Sequence, residues 1–165
     1  MTIKRLGLAF GGRSAEHEIS IMSAKSVFQA INKNHYKVDL FYISKEGMWH
    51  LIEDLERQLP TDQAGPRLDA QVLEALYQQE TILPIIHGPY GEDGKLQGFL
   101  DTLNIPYVGS KVLSSALAMD KITSKQLLEK EGFEVASFYS LTSSNQQDIE
   151  ALKAWLKNRR LSSVC

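Results

Sequence analysis

The alternation of apolar runs with segments of helical periodicity is the feature that most limits how this chain can fold. The run at 6–10 is apolar and ends in two glycines, and the segment at 15–32 then repeats apolar residues at helical spacing. Further strand-type runs lie at 37–43, 81–86, 105–108 and 135–141, and further helical segments lie at 70–79, 95–103, 114–131 and 148–158. This order predicts an α/β protein with a parallel sheet and right-handed crossovers.

Two smaller features refine the predicted sheet. Residues 48–52 have the pattern of a short strand at the edge of the sheet. Pro84 lies inside the apolar run at 81–86 and lacks an amide hydrogen, which indicates that this strand also lies near an edge.

Glycine-rich polar stretches follow two of the predicted strands. The first is GGRSAEHEIS at 11–20, and the second is HGPYGEDGKLQG at 87–98. Ligands of parallel sheets bind outside the carboxyl ends of the strands, and glycines allow backbone N–H groups to turn toward a ligand. The two stretches are therefore the candidates for a functional site.

Neither stretch fits a standard phosphate, dinucleotide or zinc motif. Gly88 and Gly94 are separated by five residues where a phosphate loop has four, and FGGRSA lacks the dinucleotide glycine spacing. His17 begins a segment like a helical zinc motif, but Ile21 stands where the second histidine is required. The four histidines show no ligand spacing, so we expect no metal site within this chain.

The residue chemistry leaves the role of the charged groups open. Glu16 and Glu18 either stabilise the helix dipole, an effect of up to about 1 kcal/mol, or Glu16 is a buried or half-buried carboxylate that receives a cationic group such as a substrate ammonium. The acids of the second stretch are either solvated residues of a tight connection or ligand groups. Lys121 and Lys125 lie on one predicted helical face, where solvated lysines are common.

Composition narrows the class of protein. The 165 residues are 43% hydrophobic and 23% charged, which suits one globular domain or one domain with part of another. A net charge of -2 gives no general attraction to nucleic acid or anionic membranes. The start does not resemble a signal peptide, no apolar run is long enough to span a bilayer, and Cys165 is the sole cysteine. We expect a cytoplasmic protein without a nucleic-acid or membrane partner.

Four stretches together resemble a known family. GGRSAEHEIS, HGPYGEDGKLQG, IPYVGS and SALAMDK occur in the order and approximate spacing of the D-alanine-D-alanine ligases of the ATP-grasp superfamily, in their N-terminal portion. The segment at 87–98 is the most specific, whereas residues 45–80 carry little weight. The resemblance implies a three-layer Rossmann-like parallel sheet, the pre-ATP-grasp substrate domain, at 1–115. It also implies the beginning of the ATP-grasp central subdomain at 116–165.

The resemblance also implies a reaction and roles for particular residues. The family joins two D-alanines for peptidoglycan through an acyl phosphate formed from ATP. Glu16 would hold the ammonium of the first D-alanine and His87 would orient that substrate, so both are expected to be catalytic residues. Glu92 would support the substrate pocket, and Lys121 would contact the ATP phosphates. Partners would be D-alanine, ATP and a second copy in a homodimer, with Mg2+ or Mn2+ bound by residues outside this chain.

The resemblance implies further that the chain alone is inactive. Family members continue beyond RRLSSVC with a second phosphate-binding lysine, a serine-rich loop, a transition-state arginine and the metal ligands. Other possibilities are a non-catalytic association or amino-acid-binding module, and part of a D-alanine-D-lactate ligase. A nicotinamide-dependent Rossmann enzyme fits the strand–helix order but not the glycine pattern. Ser20 and Ser23 are expected to be structural, and Arg13 has no assigned role.

Overall fold

The computed structural model describes residues 3–61, 67–141 and 146–157. The chain divides into two compact units between Asp120 and Lys121. The sequence places a domain division at 115/116, a few residues earlier. That domain boundary stays a prediction, since a compact unit is defined by contacts alone.

The elements of the first unit are those of an open α/β sheet. Its strands are β1 (Lys4–Gly11), β2 (Tyr36–Ile43), β3 (Trp49–Ile52) and β4 (Thr81–Pro84). Its helices are α1 (His17–Ala30), α2 (Ala70–Tyr77), α3 (Lys95–Thr102) and α4 (Val112–Met119). The helices of the second unit are α5 (Lys121–Lys130) and α6 (Gln146–Lys157).

The strand order β3-β2-β1-β4 confirms the predicted sheet and adds one detail. β1 pairs in parallel with both β2 and β4, as crossover connections require. β3 is the predicted edge strand, and it pairs antiparallel with β2. Pro84 lies at the end of β4, which has β1 on one side and only an isolated bridge, between Ile82 and Tyr107, on the other.

Helices cover both faces of the sheet, so the three-layer prediction is confirmed. Leu8 and Phe10 pack with Ala24 of α1 on one face. Ala9 and Phe41 pack with residues of α2 and α3 on the other face. All five are fully buried. Successive residues of β1 therefore enter different cores, as the two-residue period of a strand requires.

Two predicted strands are absent from the described residues. The segment 105–108 forms only the isolated parallel bridge between Ile82 and Tyr107. The segment 135–141 is described throughout but contains no strand. Both segments have β-type residues, but a strand also needs a continuous partner for its backbone groups.

The predicted helix at 114–131 is two helices. α4 ends at Met119, Asp120 has extended-type dihedrals (φ -80°, ψ 101°), and α5 begins at Lys121. The Asp120 N–H still donates to the Ala116 carbonyl at 3.2 Å and closes the last turn of α4.

The described helices include none long and apolar enough to cross a bilayer.

Candidate functional site

The two sequence-predicted stretches lie side by side in the first unit. The part of the first stretch at 11–16, at the end of β1, is here called the first loop. The part of the second stretch at 87–94, after β4, is called the second loop. Because β1 and β4 are parallel neighbours, their carboxyl ends lie at the same end of the sheet. The sequence predicted that each stretch follows a strand at its carboxyl end, and the pairing of β1 with β4 adds that the two stretches are neighbours.

Glu16 lies at the N-cap position of α1 with an exposed side chain that makes no capping hydrogen bond. Among the residues that the structure describes, no cationic side chain forms an ion pair with it. One Glu16 carboxylate oxygen lies so close to Gly88 that a Cβ on that residue would collide with it. The carboxylate is therefore exposed, not buried or half-buried as the sequence predicted, because it lies at the surface end of α1. It lies against the second loop with no cationic partner in the part of the chain that the structure describes.

His87 is held at both its main chain and its side chain. The Ser14 hydroxyl donates to the His87 carbonyl at 2.7 Å and accepts the Glu16 N–H at 3.1 Å. The His87 ring Nε2 shares a hydrogen bond of 3.1 Å with the Ser23 hydroxyl of α1. Glu16 and His87, which come from different strands, are therefore connected through one hydroxyl group.

Glu92 supports the backbone of the second loop. Its carboxylate accepts the Gly88 N–H at 2.6 Å, and its own N–H donates to the Gly88 carbonyl at 2.9 Å. The side chain is otherwise exposed. The structure thus brings three predicted residues, Glu16, His87 and Glu92, around Gly88.

A cavity of about 360 Å³ lies beside His87 and Glu92, and Glu16 is not one of its lining residues. His87, Glu92 and Gln97 line one side. The end of β4 and the segment after it, the segment 108–110 and residues of α4 also line the cavity, and Ser110, Ser114 and Ser115 are among these residues. The cavity is large enough for a small polar molecule, and its lining offers an imidazole, a carboxylate and several hydroxyls.

Two further carboxyls near the site are themselves paired. A hydrogen bond from Lys45, together with its positive charge, lowers the pKa of Glu18. For Asp93, burial acts to raise the pKa, but hydrogen bonds from the Lys95 side chain and from the Tyr90 and Lys95 backbone outweigh it, so the pKa is lowered. Both carboxyls have cationic partners, whereas Glu16 has none among the residues that the structure describes.

His17 is a structural residue of the first loop. It is 2% exposed, and its Nδ1 donates to the Gly12 carbonyl at 2.6 Å. Since that bond places the proton on Nδ1, Nε2 accepts from the Tyr42 hydroxyl at 3.2 Å. Both ring nitrogens are therefore used within the fold.

The sequence reasoning missed Ser14 and gave Ser23 only a structural role. The Ser14 hydroxyl contacts the carbonyl of His87, which lies 73 positions further along the chain. The Ser23 hydroxyl contacts the ring of the same histidine, 64 positions further along. The one signal in the sequence was the position of Ser14 between Gly12 and Glu16. Nothing local showed that its hydroxyl reaches the second loop.

Lys121 lies in the second unit, as the first residue of α5, with an exposed side chain. The described residues contain no group of three or more histidine, cysteine, aspartate or glutamate side chains placed to hold a metal ion. Glu16, His87 and Glu92 thus do not form a site for Mg2+ or Mn2+.

Comparison with known proteins shows the family to which the chain is related. The family described as "D-ala D-ala ligase N-terminus" matches residues 5–110, which include both loops. D-alanine--D-alanine ligase A of Escherichia coli K12 is 39% identical over 165 aligned residues, covering 88% of this chain and 45% of that protein. The chain thus spans about half the length of this relative.

Solved structures show the same fold. D-alanyl-alanine synthetase A of Vibrio cholerae has a TM-score of 0.74 and 29% identity, over 95% of this chain and 46% of that one. D-alanine--D-alanine ligase of Bacillus anthracis, complexed with ATP, has a TM-score of 0.65 and 28% identity, and the match covers 92% of this chain and 44% of that one. VanG D-Ala:D-Ser ligase of Enterococcus faecalis has a TM-score of 0.67 and 27% identity, and the match covers 95% of this chain and 50% of that one.

The match of the family covers more than half of the chain and contains each residue that surrounds Gly88. The fold and the sequence relatives agree with that match. The chain therefore belongs to the D-alanine-D-alanine ligase family, whose N-terminal portion it matches.

Proposed function

We propose that this chain is the part of an ATP-dependent D-alanine-D-alanine ligase that receives the first D-alanine. The observation that carries the proposal is the Glu16 carboxylate, which lies against Gly88, the residue after His87, with no cationic partner among the described residues. A substrate ammonium supplies the missing positive charge, and a charge-assisted hydrogen bond holds it. The E. coli and V. cholerae relatives carry names of the same activity.

In this mechanism the chain contributes by positioning. Glu16 binds the ammonium of the first D-alanine, and His87 orients the substrate beside the cavity. Glu92 keeps the Gly88 backbone in place through its hydrogen bond with the N–H. Fixing the amino end of the substrate holds its carboxylate in line with the γ-phosphate of ATP.

Two steps then complete the ligation. The substrate carboxylate oxygen attacks the γ-phosphorus and ADP leaves, which gives an acyl phosphate. The amine of the second D-alanine attacks the acyl carbon, loses a proton, and phosphate leaves with the electron pair of the broken C–O bond. Mg2+ or Mn2+, bound outside the described residues, would neutralise phosphate charge in the intact enzyme.

ATP and Lys121 belong to the same proposal. The B. anthracis structure contains ATP, which supports nucleotide use in this family. Lys121 is exposed at the start of α5, where its ammonium is available to ATP phosphates. The ligase would act in the cytoplasm as a homodimer, for the synthesis of peptidoglycan.

The identity of the second substrate stays open within the proposal. The VanG neighbour shares this fold, and its name gives D-Ser as a substrate. A fold common to enzymes with different second substrates favours a shared first-substrate site. The alternative of a D-alanine-D-lactate ligase therefore keeps the same roles for Glu16 and His87.

Binding of D-alanine tests the proposal directly. Titration of the 165-residue chain with D-alanine, followed by amide chemical shifts, should displace the signals of both loops. Glu16→Gln should weaken binding about 10- to 100-fold, because it removes a charged hydrogen-bond acceptor. Glu18→Gln is the matched control, since Glu18 lies in the first turn of α1 and already pairs with Lys45 at 2.9 Å.

Two results would overturn the assignment of Glu16. One is wild-type affinity in Glu16→Gln, and the other is an equal loss in Glu18→Gln. The predicted inactivity of the chain alone has its own test, phosphate release from ATP with Mg2+ and D-alanine. Turnover by pure protein of 18.5 kDa would contradict that prediction.

A further inference from the structure

Three serines near the start of the chain contact the same short stretch after β4. Ser14 and Ser23 contact His87, and Ser20 contacts Ile85. They come from the first loop and from α1, so they connect one side of the site to the other. The contacts differ in chemistry, and only those of Ser14 and Ser23 involve a candidate site residue.

Ser20 is a structural tie. Its hydroxyl is fully buried, accepts the Gly11 N–H at 2.8 Å and donates to the Ile85 carbonyl. Both partners are main-chain groups at the ends of neighbouring strands. Ser20 therefore links the carboxyl ends of β1 and β4 by hydrogen bonds beneath the two loops.

Ser14 fixes the main chain of both site residues. Its side chain is 8% exposed, and one hydroxyl serves the Glu16 N–H and the His87 carbonyl together. A displacement of either loop would lengthen one of these two bonds. Ser14 thus sets the spacing between the main chains that carry the carboxylate and the imidazole.

Ser23 fixes the imidazole itself. Its hydroxyl occupies His87 Nε2 at 3.1 Å, which leaves Nδ1 as the ring nitrogen that Ser23 does not use. A hydroxyl both donates and accepts, so Ser23 can hold the ring in one orientation whichever tautomer is present. His87 also lines the cavity, so its orientation decides what a ligand there meets.

We propose that Ser14 and Ser23 are positioning residues for the first substrate, which hold the His87 backbone and imidazole in register with Glu16. The inference rests on the proposed function, because it assigns to these hydroxyls the geometry that receives D-alanine. Neither hydroxyl needs to touch the substrate. Their effect passes through His87 and through the Glu16 main chain.

Ser23→Ala should weaken D-alanine binding about 3- to 10-fold, the range that follows from one net hydrogen bond. It should also move the imidazole nitrogen signals of His87 in a histidine-labelled sample, which a merely structural effect elsewhere in α1 would leave in place. Ser23→Thr keeps the hydroxyl and should restore both readouts. The His87→Gln variant assigns the signals.

Ser26→Ala is the matched control on the same helix. The Ser26 hydroxyl bonds only locally, to the Met22 carbonyl at 3.2 Å, and its side chain is exposed. It should bind D-alanine as the wild type does and leave the His87 signals unchanged. Ser14→Ala should weaken binding by a similar factor and shift the amide signals of Glu16 and His87, with Ser14→Thr as the variant that keeps the hydroxyl.

The outcomes separate the two proposals. If the wild-type chain binds D-alanine, and Ser23→Ala binds it with the same affinity and shows the same His87 signals, the positioning role is overturned. The proposed function then remains. Absence of D-alanine binding by the wild-type chain would overturn the proposed function and the positioning role with it. Loss of affinity in Ser23→Ala with rescue by Ser23→Thr is the result we expect.

Discussion

The first and second loops leave adjacent strands at the same end of the sheet, yet different contacts hold them. The second loop stabilises itself: Glu92 accepts the Gly88 N–H, and the Gln97 side chain donates to the Gly91 carbonyl at 2.8 Å. The first loop has no side-chain cap on α1 and relies on serine hydroxyls that reach the segment after β4. The second loop thus has more hydrogen bonds of its own, whereas the contacts between the two loops come from serine hydroxyls of the first loop and of α1.

The largest expected effect comes from breaking the contact between the loops. Gly88 has φ +71°, so Gly88→Ala adds backbone strain, and the new Cβ also displaces the flexible Glu16 carboxylate from its place against the second loop. We expect a loss of at least about 2 kcal/mol in the free energy of unfolding, with loss of D-alanine binding. Urea denaturation and a D-alanine titration measure the two effects.

A double mutant separates the strain from the displacement. Glu16→Ala in the Gly88→Ala background removes the displaced carboxylate and should restore part of the lost stability, whereas the backbone strain remains. Equal stability of the single and double mutants would show that the approach of Glu16 to Gly88 has no energetic weight.

A smaller effect is expected from removing the tie below the loops. Ser20→Ala leaves the buried Gly11 N–H and Ile85 carbonyl without their hydroxyl partner. We expect a loss of about 2 kcal/mol in the free energy of unfolding, since unsatisfied buried groups cost about 1–3 kcal/mol. Ser26→Ala should change stability by less than about 0.5 kcal/mol. Similar values for the two variants would mean that the first loop does not depend on this tie.

The smallest effect concerns the second loop alone, through Asp93. Hydrogen bonds from Lys95 and from the backbone outweigh burial and hold the pKa of Asp93 below its usual value. A lowered carboxyl pKa stabilises the fold above the unfolded-state pKa of about 3.9, and this contribution is lost as pH falls through the folded-state value. Asp93→Asn should therefore lose less stability than the wild type on acidification.

The difference should be below about 1 kcal/mol, as for other partly exposed ion pairs. Urea denaturation at about pH 6 and about pH 3 measures it. An equal acid-induced loss in both proteins would show that the Asp93–Lys95 pair does not stabilise the second loop.

The sequence predicted that each loop follows a strand, but not the groups that hold the loops. The position of Glu16 and His87 at the carboxyl ends of two strands followed from the alternation of elements, because neighbouring parallel strands bring such ends together. The hydroxyl contacts could not be predicted, since Ser14 and His87 are 73 residues apart. A serine near a helix start has many possible local partners.

The wrong element predictions have similar physical causes. The segment 114–131 has no proline or glycine, so its pattern gives no reason for the interruption at Asp120. The segments 105–108 and 135–141 carry β-type residues, but pairing depends on partner strands elsewhere in the chain. Propensity is a local property, whereas a strand is a property of two segments.

Pro84 has a consequence for how such a sheet avoids unwanted association. Ile82 uses its N–H and its carbonyl toward the outer side of β4, with Pro106 and Val108 at 2.8 Å each. Pro84, two residues on, faces the same side and has no N–H to offer there. A strand from another molecule would find this edge partly occupied and one donor short. This side of β4 is therefore a poor template for pairing with another strand, although it borders the end of the sheet where the two loops lie.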